Sequence, residues 1–167
     1  MTGKERLIEL LKLLYTQTDE DHPLSTAEIV SYFQSQGVPT DRGTVKADVA
    51  ALKNCEIEIM DTRGTQIKYY FSDRKFELAE LKLLVDAVES SKFITARKSD
   101  ALVKKLMSFT NAHNAKELER HLYTIGRIKP ENESIYYTVD IIHRAINAGK
   151  QISFVYCEYT PQKELLP

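Results

Sequence analysis

The spacing of apolar residues changes twice along this chain, and the changes limit the folds open to it. Up to residue 54 apolar side chains recur every three or four positions. Leu7, Leu10, Leu11 and Leu14 form one stretch, Ile29, Val30 and Phe33 a second, and Val45, Val49 and Leu52 a third. Each is one face of a helix turned toward a core. Between 57 and 71 the period falls to two: Ile57 and Ile59 alternate with Glu56 and Glu58, and Ile67, Tyr69 and Phe71 with Lys68 and Tyr70. That is the pattern of half-buried strands. From Leu78 the helical period returns. The expected fold is mainly α with one small β-hairpin: three short helices and a hairpin over 1–71, a junction at 72–76, a helical region over 77–149, and one C-terminal strand within 150–167.

Punctuation residues support these divisions. Thr2 with Glu5, and Ser25 with Glu28, have capping-box spacing and predict two helix starts. Pro23 separates the first two helices, Gly37 is placed as the residue that ends the second, and Thr40 or Asp41 caps the third, spanning 40–54. Gly64 is expected to supply a positive φ in the hairpin turn, with Arg63 near its tip. The junction Ser72-Asp-Arg-Lys-Phe76 contains neither Gly nor Pro and reads as a short connection rather than a flexible linker. In the second half, Leu78, Leu81, Leu84, Val85 and Val88 make one stripe and Leu102, Val103, Leu106, Met107 and Phe109 another. Leu118 and Leu122 make a shorter one. Ile135, Val139, Ile142 and Ile146 repeat at spacings of four, three and four before Gly149 stops the helix. The aromatic and β-branched run 151–159 reads as a strand buried on both faces, with no later strand candidate to pair with it.

Three helices followed by a hairpin is the order of a winged helix-turn-helix, whose third helix enters the major groove of DNA. Taken alone, that helix could equally be a solvated surface helix. Arg42, Lys46 and Lys53 lie on one flank of its apolar stripe, and Gly43, Ala47, Ala50 and Asn54 lie opposite it. Its place in the motif favours DNA reading, with the wing 56–71 on the backbone. The candidate contacts are Ser25 and Thr26 at the start of the second helix, Thr40, Arg42, Gly43, Thr44, Lys46 and Lys53 on the third, and Arg63 and Lys68 on the wing. Hydroxyls, helix N-termini and cations are the groups that hold phosphates.

Charge totals add no general argument for a polyanionic partner. Residues 1–75 carry 10 basic and 12 acidic side chains, and residues 76–167 carry 13 and 12. Any nucleic-acid signal must therefore be local. A composition 43% hydrophobic and 28% charged is that of a globular chain. The N-terminus has no signal-peptide pattern and no apolar run reaches the ~18 residues of a membrane span, so a cytoplasmic protein with no membrane partner is expected. Cys55 and Cys157 are expected as buried free thiols. No nucleophile, base and oxyanion constellation is present, so no enzyme is expected, and no cofactor. His22, His113, His121 and His143 lack ligand spacing, His113 and His121 reading as surface polarity, so no metal site is expected either.

The chain resembles the WYL-domain transcriptional regulators of bacteria, in which a DeoR-like winged helix-turn-helix precedes a helical connector and a small β-barrel. Arg6-Leu-Ile-Glu-Leu-Leu in the first helix, Ser25-Thr-Ala-Glu-Ile-Val in the second and Thr44-Val-Lys-Ala-Asp-Val-Ala-Ala-Leu in the third carry the likeness, and Ile135 to Tyr159 looks like the lead-in to the barrel. Family members often place Arg or Lys where this chain has Gly43 and Ala47. The sequence has no Trp and ends before any Trp-Tyr-Leu signature, so the resemblance is to a member truncated at the start of the barrel. It implies double-stranded DNA as partner and an effector whose identity stays open; an apolar content in the second half beyond what four short helices need to cover one another, with the pairing usual for winged-helix regulators, predicts a homodimer. The alternative is a DNA-binding-deficient module that dimerises with full-length relatives.

Overall fold

The computed structural model describes residues 1–62, 64–122, 134–155, 158–159 and 165–166. The described residues are mainly helical with a small antiparallel sheet. In chain order they form α1 (Gly3–Gln17), β1 (Leu24–Ser25), α2 (Thr26–Ser35), α3 (Arg42–Asn54), β2 (Ile59–Thr62) and β3 (Lys68–Phe71). The second half contributes α4 (Leu78–Ser90), α5 (Ala96–Met107), α6 (Ala112–Leu122), α7 (Ser134–Asn147), β4 (Glu158–Tyr159) and β5 (Leu165–Leu166).

Both expected capping boxes are formed. The Thr2 N–H donates to the Glu5 carboxylate at 2.7 Å, and the Ser25 N–H donates to Glu28 at the same distance. Asp41, not Thr40, caps α3: its Oδ1 accepts the Thr44 N–H at 2.7 Å. Gly37 ends α2 with φ +72° and lets the Val38 N–H reach back to the Phe33 carbonyl at 2.9 Å, while Gly149 closes α7 with φ +61°. The apolar stripes of α1, α2 and α3 meet with the inner face of the sheet in one core. Leu10, Leu14, Ile29, Phe33 and Val45 are fully buried there, with Ile59, Tyr69 and Phe71 closing it from the sheet.

The hairpin is shorter than 56–71. β2 and β3 pair from Ile59↔Phe71 to Thr62↔Lys68, and Ile57 packs on the core ahead of the strand. Gly64 does not have a positive φ, contrary to expectation. The connection runs from 63 to 67, too long to need the two-residue turn that would demand it. Positive φ occurs instead at Glu56, 61°, where the chain leaves α3. A third strand extends the sheet, because β1 pairs with the outer edge of β3 at Leu24↔Tyr69 and Ser25↔Lys68. Two residues are too few to show a period, and nothing in the sequence announces them.

A second, smaller cluster forms where α4, α5 and α6 bury Leu81, Val85, Val103 and Leu118. It is held to the N-terminal unit by a polar seam around the end of α1. The Thr18 carbonyl accepts Arg74 Nη2 at 2.8 Å and Asn111 Nδ2 at 3.1 Å, and Asn111 Nδ2 also donates to the Asp19 carboxylate at 2.7 Å. The same Asn111 caps α6, its Oδ1 accepting the His113 and Asn114 N–H groups, both at 2.9 Å. Arg74, in the short junction, lies on the rings of Tyr15 and Phe71, 5.0 and 5.6 Å from their centroids. Desolvation pulls its pKa below the ordinary arginine value. His22 and His113 stack at 3.8 Å across the seam, so His113 is part of a contact and not mere surface polarity.

The C-terminal stretch differs from the expected doubly buried strand. Residues 151–155 are exposed and outside any strand; Phe154 is 77% exposed. β4 pairs antiparallel with β5, Glu158↔Leu166 and Tyr159↔Leu165, so a local partner exists where none was expected. β-rich composition favours a strand only where an edge is available to bond it. Cys55, expected to be buried, caps the end of α3 and is exposed; Cys157 and Arg63 lie outside the described residues, as do the side chains of His121 and Leu122.

Candidate nucleic-acid interface

The start of α2 and the loop after β2 are locked together by Thr26. Its backbone N–H and its hydroxyl both donate to the Ile67 carbonyl, at 3.3 and 3.4 Å. This places the loop 64–67 beside the N-terminus of α2, whose capping Ser25 is 4% exposed. Ser25 is spent internally, its hydroxyl accepting the Glu28 N–H at 3.2 Å; hydrogen bonds from Ser25 in turn hold the Glu28 carboxyl below its usual range. Thr40 is also turned inward, donating to the Val38 carbonyl at 3.3 Å. Thr26, by contrast, borders a cavity.

That cavity is a cleft of about 250 Å³ lined by Thr26, Ala27, Arg42, Lys46, Thr65, Gln66 and Ile67. Arg42 and Lys46 are successive-turn neighbours on α3, both exposed, and neither makes an ion pair among the described residues. Two free cations therefore face the N-terminus of α2, where backbone N–H groups and the helix dipole favour negative charge. Thr65 and Gln66 add polar groups from the loop. The arrangement is suited chemically to an anion of phosphate type. On the other side of the same loop a wider groove, about 620 Å³, is lined by Glu20, Asp21, Pro23, Thr62, Gly64 and Lys68 among others. Its two carboxylates oppose a polyanion, so the electrostatics favour approach from the α3 side.

The remaining candidates divide. Lys68 is exposed on β3 in the acidic groove, away from the Arg42–Lys46 cleft. Lys53, expected on the basic flank, is bound to Asp61 of β2 at 2.7 Å and is not a free cation. Gly43 is exposed, and a Cβ there would meet only the capping Asp41 side chain, at 3.2 Å. Thr44 is half-buried, with its backbone N–H used by that cap. Ala47 and Ala50 are exposed, so the outward face of α3 is narrow and carries few donors.

Three contributors, Thr65, Gln66 and Arg6, were not among the candidates drawn from the sequence. Thr65 and Gln66 line the cleft only because Thr26 draws the loop in, a contact between residues 41 apart. Arg6 fixes α3 from behind: Nε and Nη2 grip the Asp48 carboxylate at 2.7 and 3.1 Å, and this hydrogen bonding raises the arginine pKa further. The pair tethers α3 to α1 at Asp48, two residues past the cleft's Lys46. Among the described residues no group of three or more His, Cys, Asp or Glu is placed to hold a metal ion, and no helix is long and apolar enough to cross a membrane. Compared with protein families, with curated proteins and with solved structures, the chain matches none.

Proposed function

We propose that residues 1–71 bind duplex DNA as the reading head of a cytoplasmic transcriptional regulator of the WYL-like, DeoR-like kind, acting as a homodimer. α3 lies in the major groove and the loop 64–67 with β2 and β3 serves as the wing. The observation that carries this is the cleft in which free Arg42 and Lys46, the N-terminus of α2 and the wing loop converge. It seats one backbone phosphate at the groove edge, and the phosphate fixes the register of α3. Exposed Gly43, Ala47 and Ala50 let the helix lie close to the bases, where apolar side chains meet thymine methyls.

Fluorescence anisotropy with labelled random and selected duplexes, at low and moderate salt, tests the reading. Arg42→Ala and Lys46→Ala should each weaken binding, and each should reduce the slope of log affinity against log salt by roughly one unit. Affinity unchanged in both variants at low salt would refute the docking. A second reading is supported by the same narrow face of α3: with few donors toward the bases, the chain would be a DNA-binding-deficient module that pairs with full-length relatives. No measurable binding to any duplex at low salt would favour it.

A further inference from the structure

A second cavity shares no residue with the Arg42–Lys46 cleft. It is a groove of about 470 Å³ between α1 and α2, lined also by His113 of α6. Glu9, Lys12 and Leu13 lie on one face of α1 because residues three and four apart are helical neighbours, and Glu28 and Tyr32 are so placed on α2. The Tyr32 hydroxyl donates to Glu9 Oε1 at 2.7 Å and ties the two walls together. Leu13, Leu24 and the Tyr32 ring, all packed on the N-terminal core, supply apolar surface. Concave sites with apolar walls and a few polar groups, of roughly 300–1,000 Å³, are those that take metabolite-sized molecules.

The polar groups of the groove decide which molecule fits. Its hydroxyls are spent, Tyr32 on Glu9 and Thr16 on the Lys12 carbonyl at 2.8 Å. Its carboxylates are not. Glu28 uses Oε2 for the Ser25 N–H, which leaves Oε1 without a hydrogen bond among the described residues. Glu9 Oε2 has only Lys12 Nζ, 3.8 Å away and beyond hydrogen-bond length, on a side chain 69% exposed. Within the lining, two carboxylates thus stand against one loosely held ammonium, and unused acceptors are complementary to a charged donor. We infer that the groove binds a small organic ammonium, a primary amine on a short apolar body. The carboxylates of Glu9 and Glu28 hold the ammonium, and Leu13, Leu24 and Tyr32 receive the body.

His113, which lines the groove, also stacks on His22 across the seam, so an occupant touches both halves of the chain. Binding to the closed arrangement stabilises it, and the melting temperature rises with amine concentration. None of these residues lies in the cleft proposed for DNA and the test contains no DNA, so this inference and that reading fail separately.

Amide chemical shifts of the isotope-labelled full chain, titrated to about 10 mM with phenethylamine and in parallel with phenethyl alcohol, read the site. The amine should move the amides of Leu13, Leu24 and Tyr32 saturably, with a dissociation constant of about 1 mM. The alcohol has the same body without the charge and should bind at least about fivefold more weakly. Glu9→Gln and Glu28→Gln each remove a charge but keep an oxygen for the Tyr32 hydroxyl and for the capping box. Both should therefore melt within about 2 °C of the parent while the dissociation constant for the amine rises about fivefold. Lys12→Ala removes the competing ammonium and should tighten binding, a gain that no loss of fold can imitate. An absence of saturable shifts, shifts confined to residues outside the groove, equal binding of amine and alcohol, or an amine affinity indifferent to both glutamines would overturn the inference.

Discussion

Asn111 is the residue through which the two halves of the chain can be most sharply perturbed. It is fully buried and makes four hydrogen bonds: two cap α6, and two run from Nδ2 to the Thr18 carbonyl and the Asp19 carboxylate. In Asn111→Ala the lost cap costs about 1 kcal/mol. The lost bond to the carboxylate costs about 1.5–3 kcal/mol. The Thr18 carbonyl keeps Arg74 and adds little. A total near 3 kcal/mol corresponds to a fall in melting temperature of roughly 6–12 °C for a chain of this size. Asn111→Asp separates the two contributions. Aspartate caps a helix as well as asparagine does. At the seam, however, it replaces the donor with a second carboxylate facing Asp19. Thermal melts at neutral pH should therefore place Asn111→Asp at least as low as Asn111→Ala. If Asn111→Asp instead melts within about 2 °C of the parent while the alanine variant falls in full, the cap carries the whole effect and the seam argument is wrong.

Lys53→Ala should weaken DNA binding clearly less than Arg42→Ala in the same anisotropy titration, because Lys53 is already held by Asp61 and releases fewer counterions. Asp48→Ala leaves the Arg6 guanidinium, only 20% exposed, without its carboxylate; urea denaturation should show a loss of about 1–3 kcal/mol. The seam should also respond to acid. Burial raises the Asp19 pKa, but hydrogen bonds from Asn111 and His22 outweigh it and hold the carboxyl below its usual value. Its contribution is then fully present above the unfolded carboxyl pKa of about 4 and is lost as pH falls through the depressed folded value. Melts of the parent from pH 6 down to pH 2.5 should lose more stability than those of Asp19→Asn, and parallel curves would count against the bond network.

What could be read from the sequence was what short-range rules decide. Thr2 with Glu5, Ser25 with Glu28, Gly37 and Gly149 sit within a few residues of the backbone groups they satisfy, and each helix end they mark is present. The cleft was half legible. Arg42 and Lys46 follow from helix geometry, but the part played by Thr65 and Gln66 depends on Thr26 bonding a residue 41 positions on. The basic flank was overread at Lys53, since helical spacing says where a cation points and not which carboxylate of a neighbouring strand meets it. The seam was invisible for the same reason: Thr18, Arg74 and Asn111 are ordinary polar residues until the two halves close on them. Residues 151–155 mark the opposite limit. Their composition suits a strand, yet a strand is completed by the edge that bonds it, and an intrinsic preference alone leaves Phe154 and Val155 in water. Leu83 and Phe93, 70% and 58% exposed, stand with Ile141, Ile146, Ile152, Phe154 and Val155 outside the cluster of Leu81, Val85, Val103 and Leu118, so a helical period tells which apolar positions recur and not how many of them a core takes up.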